Sequence, residues 1–467
     1  MSGRRVPTGI GVAIAVVALG AAAAGPAAAG PGDPQPGAPG LGDPFFPQAG
    51  NGGYDVRNYR LEVSYDPTTK DFEGRATIRA RAVQALSRFN LDLRGFFDVD
   101  AVMVGGVPAE VARDGQELMI TPARPLPAGR AFAVTVRYSG TPQAVVDPDG
   151  SVEGWIPTSD GAFVVGEPQG APGWFPANDN PRDKATFDIR VTVPAGVTAV
   201  ANGRLVSKIT RKGTTTWSWR AGDPMAPYLA TATLGTFSLT TSDVDGIPSY
   251  VAVDPSQEAA AAPALAKLPD ILRYFTGLIG PYPFDTVGAI VDDAPEVGYA
   301  LESQTRPVFD RAPDEVTLAH ELVHQWFGDS VSLTVWPDIW LNEGFATYGE
   351  WLWQEHTGAS TAQARFDALY ATPAEDPFWT VPPSGLAGPV DLFAGPVYER
   401  GAMALQALRA KVGDDAFFAI LRAWYAENRN GNVTTDDFTE LAERVSDMDL
   451  TAFFDAWLVA PVKPTTW

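Results

Sequence analysis

Two histidines four residues apart, with a glutamate beside the first, lie within the segment Val316 to Glu350: His320-Glu321-Leu322-Val323-His324. Residues four apart on a helix share a face, so both imidazoles can address one metal ion. Glu321 follows the first of them and is placed to act on a water at that ion. The sequence holds only three histidines, so the HExxH spacing reads as a site. The competing reading is a pair of packed histidines on a buried helix.

A catalytic zinc takes three protein ligands and keeps a fourth position open. His356 follows Trp351-Leu352-Trp353-Gln354-Glu355 and precedes Thr357-Gly358, which reads as a helix end. A cation there is ordinary surface chemistry, and His356 is not taken as a ligand. Glu343, in Trp340-Leu341-Asn342-Glu343-Gly344-Phe345-Ala346, is the better third ligand. Eighteen residues separate it from His324, and a connection through Pro337 lets a second helix fold back on the first. Its apolar neighbours Trp340, Leu341 and Phe345 predict burial, and a buried carboxylate requires a cation. One Zn2+ per chain, held by His320, His324 and Glu343, would leave room for a water. Glu321 would take the proton of that water and pass it to a leaving amine.

An HExxH pair, an eighteen-residue gap and a glutamate in an Asn-Glu-Gly-Phe-Ala setting resemble the gluzincin metallopeptidases of the aminopeptidase N and leukotriene-hydrolase family. The resemblance implies a role for Tyr398, in Val397-Tyr398-Glu399-Arg400-Gly401, as a donor to the oxyanion of the transition state. Arg400 stands where the family carries lysine, keeping the charge but not the geometry. Glu302, in Tyr299-Ala300-Leu301-Glu302-Ser303, falls on the family's Gly-x-Met-Glu-Asn segment, with Tyr299 at the glycine and Ser303 at the asparagine. It is expected to hold the substrate's free α-amine from a strand at the cleft edge, with Tyr299 and Ala300 contacting the peptide beside it. Glu167, in Gly166-Glu167-Pro168, resembles the glutamate of the Gln-x-Glu loop, a second amine contact, with Val165 at the glutamine position. The implied activity is zinc-dependent removal of N-terminal residues from peptides with a free amine. The altered positions leave a zinc endopeptidase or an epoxide-type hydrolase open. A non-catalytic binding module predicts a damaged motif, whereas His320, Glu321, His324, Glu343 and Tyr398 are all present. Larger members add a helical C-terminal domain over the cleft. No counterpart is read before Trp467, and a short, bacterial-type secreted member is expected, its cleft either more open or capped by a partner or second subunit.

These residues need two kinds of scaffold. Apolar and polar residues alternate through Tyr59 to Tyr65, Ala76 to Ala82, Phe89 to Leu93, Phe132 to Tyr138 and Phe187 to Val193, between Gly, Pro and Asp turns. Such alternation predicts half-buried strands, hence an all-β, saddle- or sandwich-like domain over residues 54–245. Residues 246–467 mix strands with helical spacing, including Gln257 to Ile279 as one helix, Thr286 to Asp292 as a strand, and Ala300 to Phe309 as a strand at a cleft edge. The class is therefore α+β and multidomain, the second domain helix-rich and, by the resemblance, thermolysin-like. Residues 30–53 are rich in Pro and Gly and are expected to be a flexible linker. Arg4 and Arg5, an apolar run from Ile10 and Ala27-Ala28-Ala29 have the order of a signal peptide over residues 1–29. Secretion is expected, with membrane anchorage only if that segment is not cleaved. The net charge of −22 argues against nucleic acid, and the absence of cysteine rules out disulfides. Oligomeric state is not legible.

Overall fold

Alternation shapes the first domain. In the strand Asp71–Ala82 every second side chain is buried. It lies within an eight-stranded sheet ordered Arg204–Arg211, Thr214–Met225, Ala185–Pro194, Tyr54–Asp66, Asp71–Ala82, Ala131–Gly140, Phe97–Val104, Val107–Pro108. The computed structural model describes residues 33–465, so the expected signal segment falls outside it. Aromatic rings join the core face of this sheet to two smaller ones. Tyr54 meets Phe89 of a four-stranded sheet, and Tyr65 and Phe72 meet Trp155 of a five-stranded sheet. Trp155 and Trp174 are fully buried between them.

The Pro- and Gly-rich stretch expected to be a flexible linker is instead ordered from Gln35 onward. Gln35–Pro36 pairs in parallel with Leu86–Asp92. Asp43, 1% exposed, accepts from the amides of Phe45, Phe46 and Trp336. Buried Asp92 accepts from the amides of Gly50 and Asp179. Phe46 packs edge-on against Trp336. Buried carboxylates collect main-chain N–H groups that no ladder could satisfy, so the order comes from polar capping and leaves no apolar period in the sequence.

The second architecture begins before the expected boundary at residue 245. Ser238–Val244 forms a hairpin with Ile247–Val253, which runs parallel to Val287–Val291. The sheet continues through Val308–Phe309 to an edge strand, Ala300–Leu301. The stretch expected as one strand is thus a tight antiparallel pair. The helices are α1 (Glu258–Leu265), α2 (Leu268–Leu278), α3 (Glu315–Val323), α4 (Trp340–Thr357), α5 (Ala362–Tyr370), α6 (Gly395–Val412), α7 (Asp414–Asn428), α8 (Thr435–Ser446) and α9 (Thr451–Phe454). The single helix expected over Gln257 to Ile279 is split into α1 and α2. Pro269, at the start of α2, has no N–H to continue the preceding turn. Among the described residues no helix is long and apolar enough to cross a membrane.

Two cations tie the architectures together through carbonyl groups. Buried Arg306 donates to Tyr250 O, Val287 O and Gly203 O. Half-buried Lys184, just before the strand Ala185–Pro194, donates to Asp329 O at 3.0 Å, Ser330 O at 2.9 Å and Gly431 O at 2.9 Å. An ammonium has three N–H donors, and all three are used on the loop that follows α3 and on Gly431. Lys184→Met would leave those carbonyls without their donor. It is expected to lower stability by about 3 kcal/mol, read as a shift in the urea midpoint at unchanged slope.

Candidate active site

The metal-ligand geometry follows from one helix end and one helix start. Asp314 caps α3, accepting from the Thr317 amide at 2.7 Å. His320 lies in the last turn of α3, and His324 is its C-cap, still with helical dihedrals. The chain returns through a 3-10 turn, Trp336–Asp338, into α4, whose first turn carries Glu343. Glu343 Oε2 lies 3.3 Å from His320 Nε2 and 3.5 Å from His324 Nε2. Ligands about 2.0–2.1 Å from one tetrahedral zinc stand roughly 3.3–3.4 Å apart, which these separations match. The remaining ring nitrogens are engaged: His320 Nδ1 with Glu350 Oε1 at 2.7 Å, and His324 Nδ1 with Phe327 O at 3.1 Å. Such contacts fix the imidazoles and leave both Nε2 atoms for a metal. Two imidazoles and one carboxylate, all buried or nearly so, fit a catalytic zinc with an open position.

Small residues let the helices approach closely enough to build this. A Cβ on Gly349 of α4 would meet Val323 of α3 at 2.5 Å. A Cβ on Gly401 of α6 would meet the Gly344 Cα at 2.9 Å. Gly344 follows Glu343, and Gly401 lies three residues after Tyr398, so this crossing brings ligand and tyrosine into one cavity. The Tyr398 ring lies over that of His320, 6.1 Å between centroids and 24° between planes. Arg400 points elsewhere: it is buried and donates to Trp457 O, Trp379 O, Ala456 O and Ala460 O, fastening the C-terminal segment to α6.

A cavity of about 460 Å³ holds all nine residues singled out in the sequence: Glu167, Tyr299, Ala300, Glu302, His320, Glu321, His324, Glu343 and Tyr398. Ala300 and Glu302 stand at and just beyond the sheet-edge strand, and Gln325 anchors Glu302 by donating to its main-chain oxygen at 2.8 Å. Carboxylate oxygens of Glu167, Glu302 and Glu343 lie within 4.8 Å of one another. Burial, then the neighbouring charge of Glu302 and Glu343, pushes Glu167 well above the usual carboxylate range. Burial also raises Glu302, against the pull of His324. Burial pushes Glu321 up to about 7, opposed by His320 and His324. Burial and the charge of Glu343 keep the Tyr398 hydroxyl protonated far above its ordinary range. His356 takes no part, stacking on Tyr274 with 4.3 Å between centroids.

The sequence reading missed Glu350, although it stands two turns beyond Glu343 on the same helix face. It also missed Asp149 and Ser151 on one β-domain loop, Thr317 of α3 and Phe393 just before α6, which line the cavity as well. Glu350→Gln is expected to keep the fold and weaken zinc binding about tenfold to a hundredfold, measured by competition with a chromophoric chelator.

Residues 56–229 match the Peptidase M1 N-terminal domain and residues 299–457 the Peptidase family M1 domain. Aminopeptidase M1-D of Oryza sativa subsp. japonica is 25% identical over 437 residues, covering 86% of this chain and 49% of that protein. Glutamyl aminopeptidase of Bos taurus is 28% identical, covering 62% of this chain and 33% of its own length. The chain thus spans half or less of these curated relatives. The M1 zinc metallopeptidase of Deinococcus radiodurans, crystallised as a glutamate-to-alanine variant with a Tyr-Ser-Ala substrate, superposes with a TM-score of 0.83 at 30% identity. That match covers 91% of this chain and 99% of that one. A two-domain M1 zinc metallopeptidase variant bound to L-arginine gives the same TM-score. With both family domains matched in order and a full-length structural counterpart at this identity, the chain belongs to peptidase family M1.

Proposed function

We propose that the protein is a zinc-dependent aminopeptidase, removing N-terminal residues from peptides that carry a free amine. The observation that carries this reading is the pair of buried carboxylates, Glu167 and Glu302, which converge beside Glu343 without being needed as zinc ligands. Neighbouring buried carboxylates stay ionised together only when a cation lies among them, and a substrate ammonium is such a cation. An endopeptidase would have no use for two such buried carboxylates beside its metal site.

Lewis acidity toward a peptide carbonyl and a water is the chemistry that a bound zinc supplies. The protein's residues do the rest. Glu302 and Glu167 hold the ammonium, fixing which peptide bond can reach the ligand end of the cavity. Glu321, poised near neutrality by burial, takes a proton from the attacking water and returns it to the departing amine nitrogen. Tyr398 keeps its proton and can donate to the developing oxyanion.

The test is hydrolysis of aminoacyl-coumarins against matched N-acetylated ones, with and without a zinc chelator. Chelator-sensitive cleavage of the free-amine set alone supports the reading. Equal cleavage of the acetylated set points to an endopeptidase. Secretion is likewise proposed, on the residue order of positions 1–29, and N-terminal mass spectrometry of protein from the culture medium checks it.

A further inference from the structure

Asp149 and Ser151 reach the cavity from the β domain, on the loop between Val145–Val146 and Val152–Pro157. The chemistry above uses neither. Tyr299 fastens this loop to the catalytic domain, its hydroxyl donating to Val152 O at 2.8 Å. Within the loop, Asp149 Oδ1 accepts from the Ser151 amide at 2.9 Å and from Ser151 Oγ at 2.7 Å. The carboxylate is therefore held in place by its own turn while remaining exposed.

The charge balance of the cavity is one-sided. Its lining includes six carboxylates, Asp149, Glu167, Glu302, Glu321, Glu343 and Glu350, and among the described residues no lysine or arginine. Glu343, Glu350 and Glu321 serve the zinc site and its proton transfer, and Glu302 with Glu167 receives the ammonium. A divalent ion and one ammonium leave the cavity short of positive charge. Asp149, exposed at the β-domain side of the cavity, is the one lining carboxylate that neither cation engages. We infer that the cavity selects peptides whose N-terminal residue is lysine or arginine, with Asp149 as a specificity-determining residue. The inference rests on the aminopeptidase reading and names its substrate class. The same field opposes an N-terminal aspartate or glutamate. The glutamyl specificity in the names of several relatives is therefore not carried over to this chain.

The experiment is calorimetric binding of L-argininamide, L-norleucinamide and L-glutamic acid α-amide to the zinc-loaded protein and to its Asp149→Asn variant. Asparagine retains the oxygen that Ser151 uses, so the loop keeps its bonds. The wild-type protein is expected to bind argininamide at least tenfold more tightly than norleucinamide, and the glutamic acid amide most weakly. Asp149→Asn is expected to cut the argininamide-to-norleucinamide ratio about fivefold, the scale of one partly solvated ion pair. Asp149→Lys should cut it further. An unchanged ratio in both variants, or glutamic acid amide binding as well as argininamide, overturns the inference. Failure of the aminopeptidase reading would show separately, as no turnover of any free-amine coumarin while argininamide still binds.

Discussion

Glu321→Gln is expected to retain zinc at one ion per chain and to lose about a thousandfold in kcat/KM on every peptide the protein cleaves. The amide has nearly the volume of the acid, so packing around this buried side chain is preserved. The zinc ligands and the hydrogen bonds from His320 to Glu350 and from His324 to Phe327 O are untouched. What disappears is a group able to take a proton from water and release it to nitrogen near neutral pH. Metal content and steady-state kinetics on the same preparation separate the two effects. Full activity with zinc bound would show that the base lies elsewhere, and loss of zinc would make Glu321 a structural neighbour of the metal.

The second large effect concerns the amine. Glu302→Gln removes one buried charge facing the substrate ammonium, a pairing whose loss costs about 3 kcal/mol or more in a desolvated site. Cleavage of free-amine coumarins should therefore fall by about a hundredfold or more, carried mainly by kcat/KM. N-acetylated substrates, which bring no ammonium, should gain relative to them. The variant also relieves repulsion within the Glu167, Glu302 and Glu343 group, so its thermal midpoint should not fall. A lower midpoint together with equal loss on both substrate sets would assign Glu302 to the scaffold.

Much of this site was legible because its elements are local. Four-residue spacing brought His320 and His324 together, and an apolar setting marked Glu343 as buried. Alternation revealed the strands for the same reason: burial on one face writes a period into the sequence. Contacts formed across long separations wrote none. Asp43 accepts from the Trp336 amide 293 positions away, and the Pro/Gly composition around it reads as a spacer. Ser238–Val244 falls inside the expected bounds of the β domain, because its pairing partner determines its allegiance and its own residues do not. Asp149 joins the cavity from a loop that Tyr299 meets at Val152, a contact between two domains.

The ordered stretch that includes Asp43 also bears on how the protein can be shortened. Cutting at Tyr54, where the regular strands begin, would look harmless from composition. It would remove the carboxylate that holds the Trp336 amide and the Phe46 ring that covers its indole, immediately before the helix bearing Glu343. Proteolytic trimming or display on a carrier should therefore stop ahead of Gln35, since the segment beyond it works as a splint across both halves of the molecule.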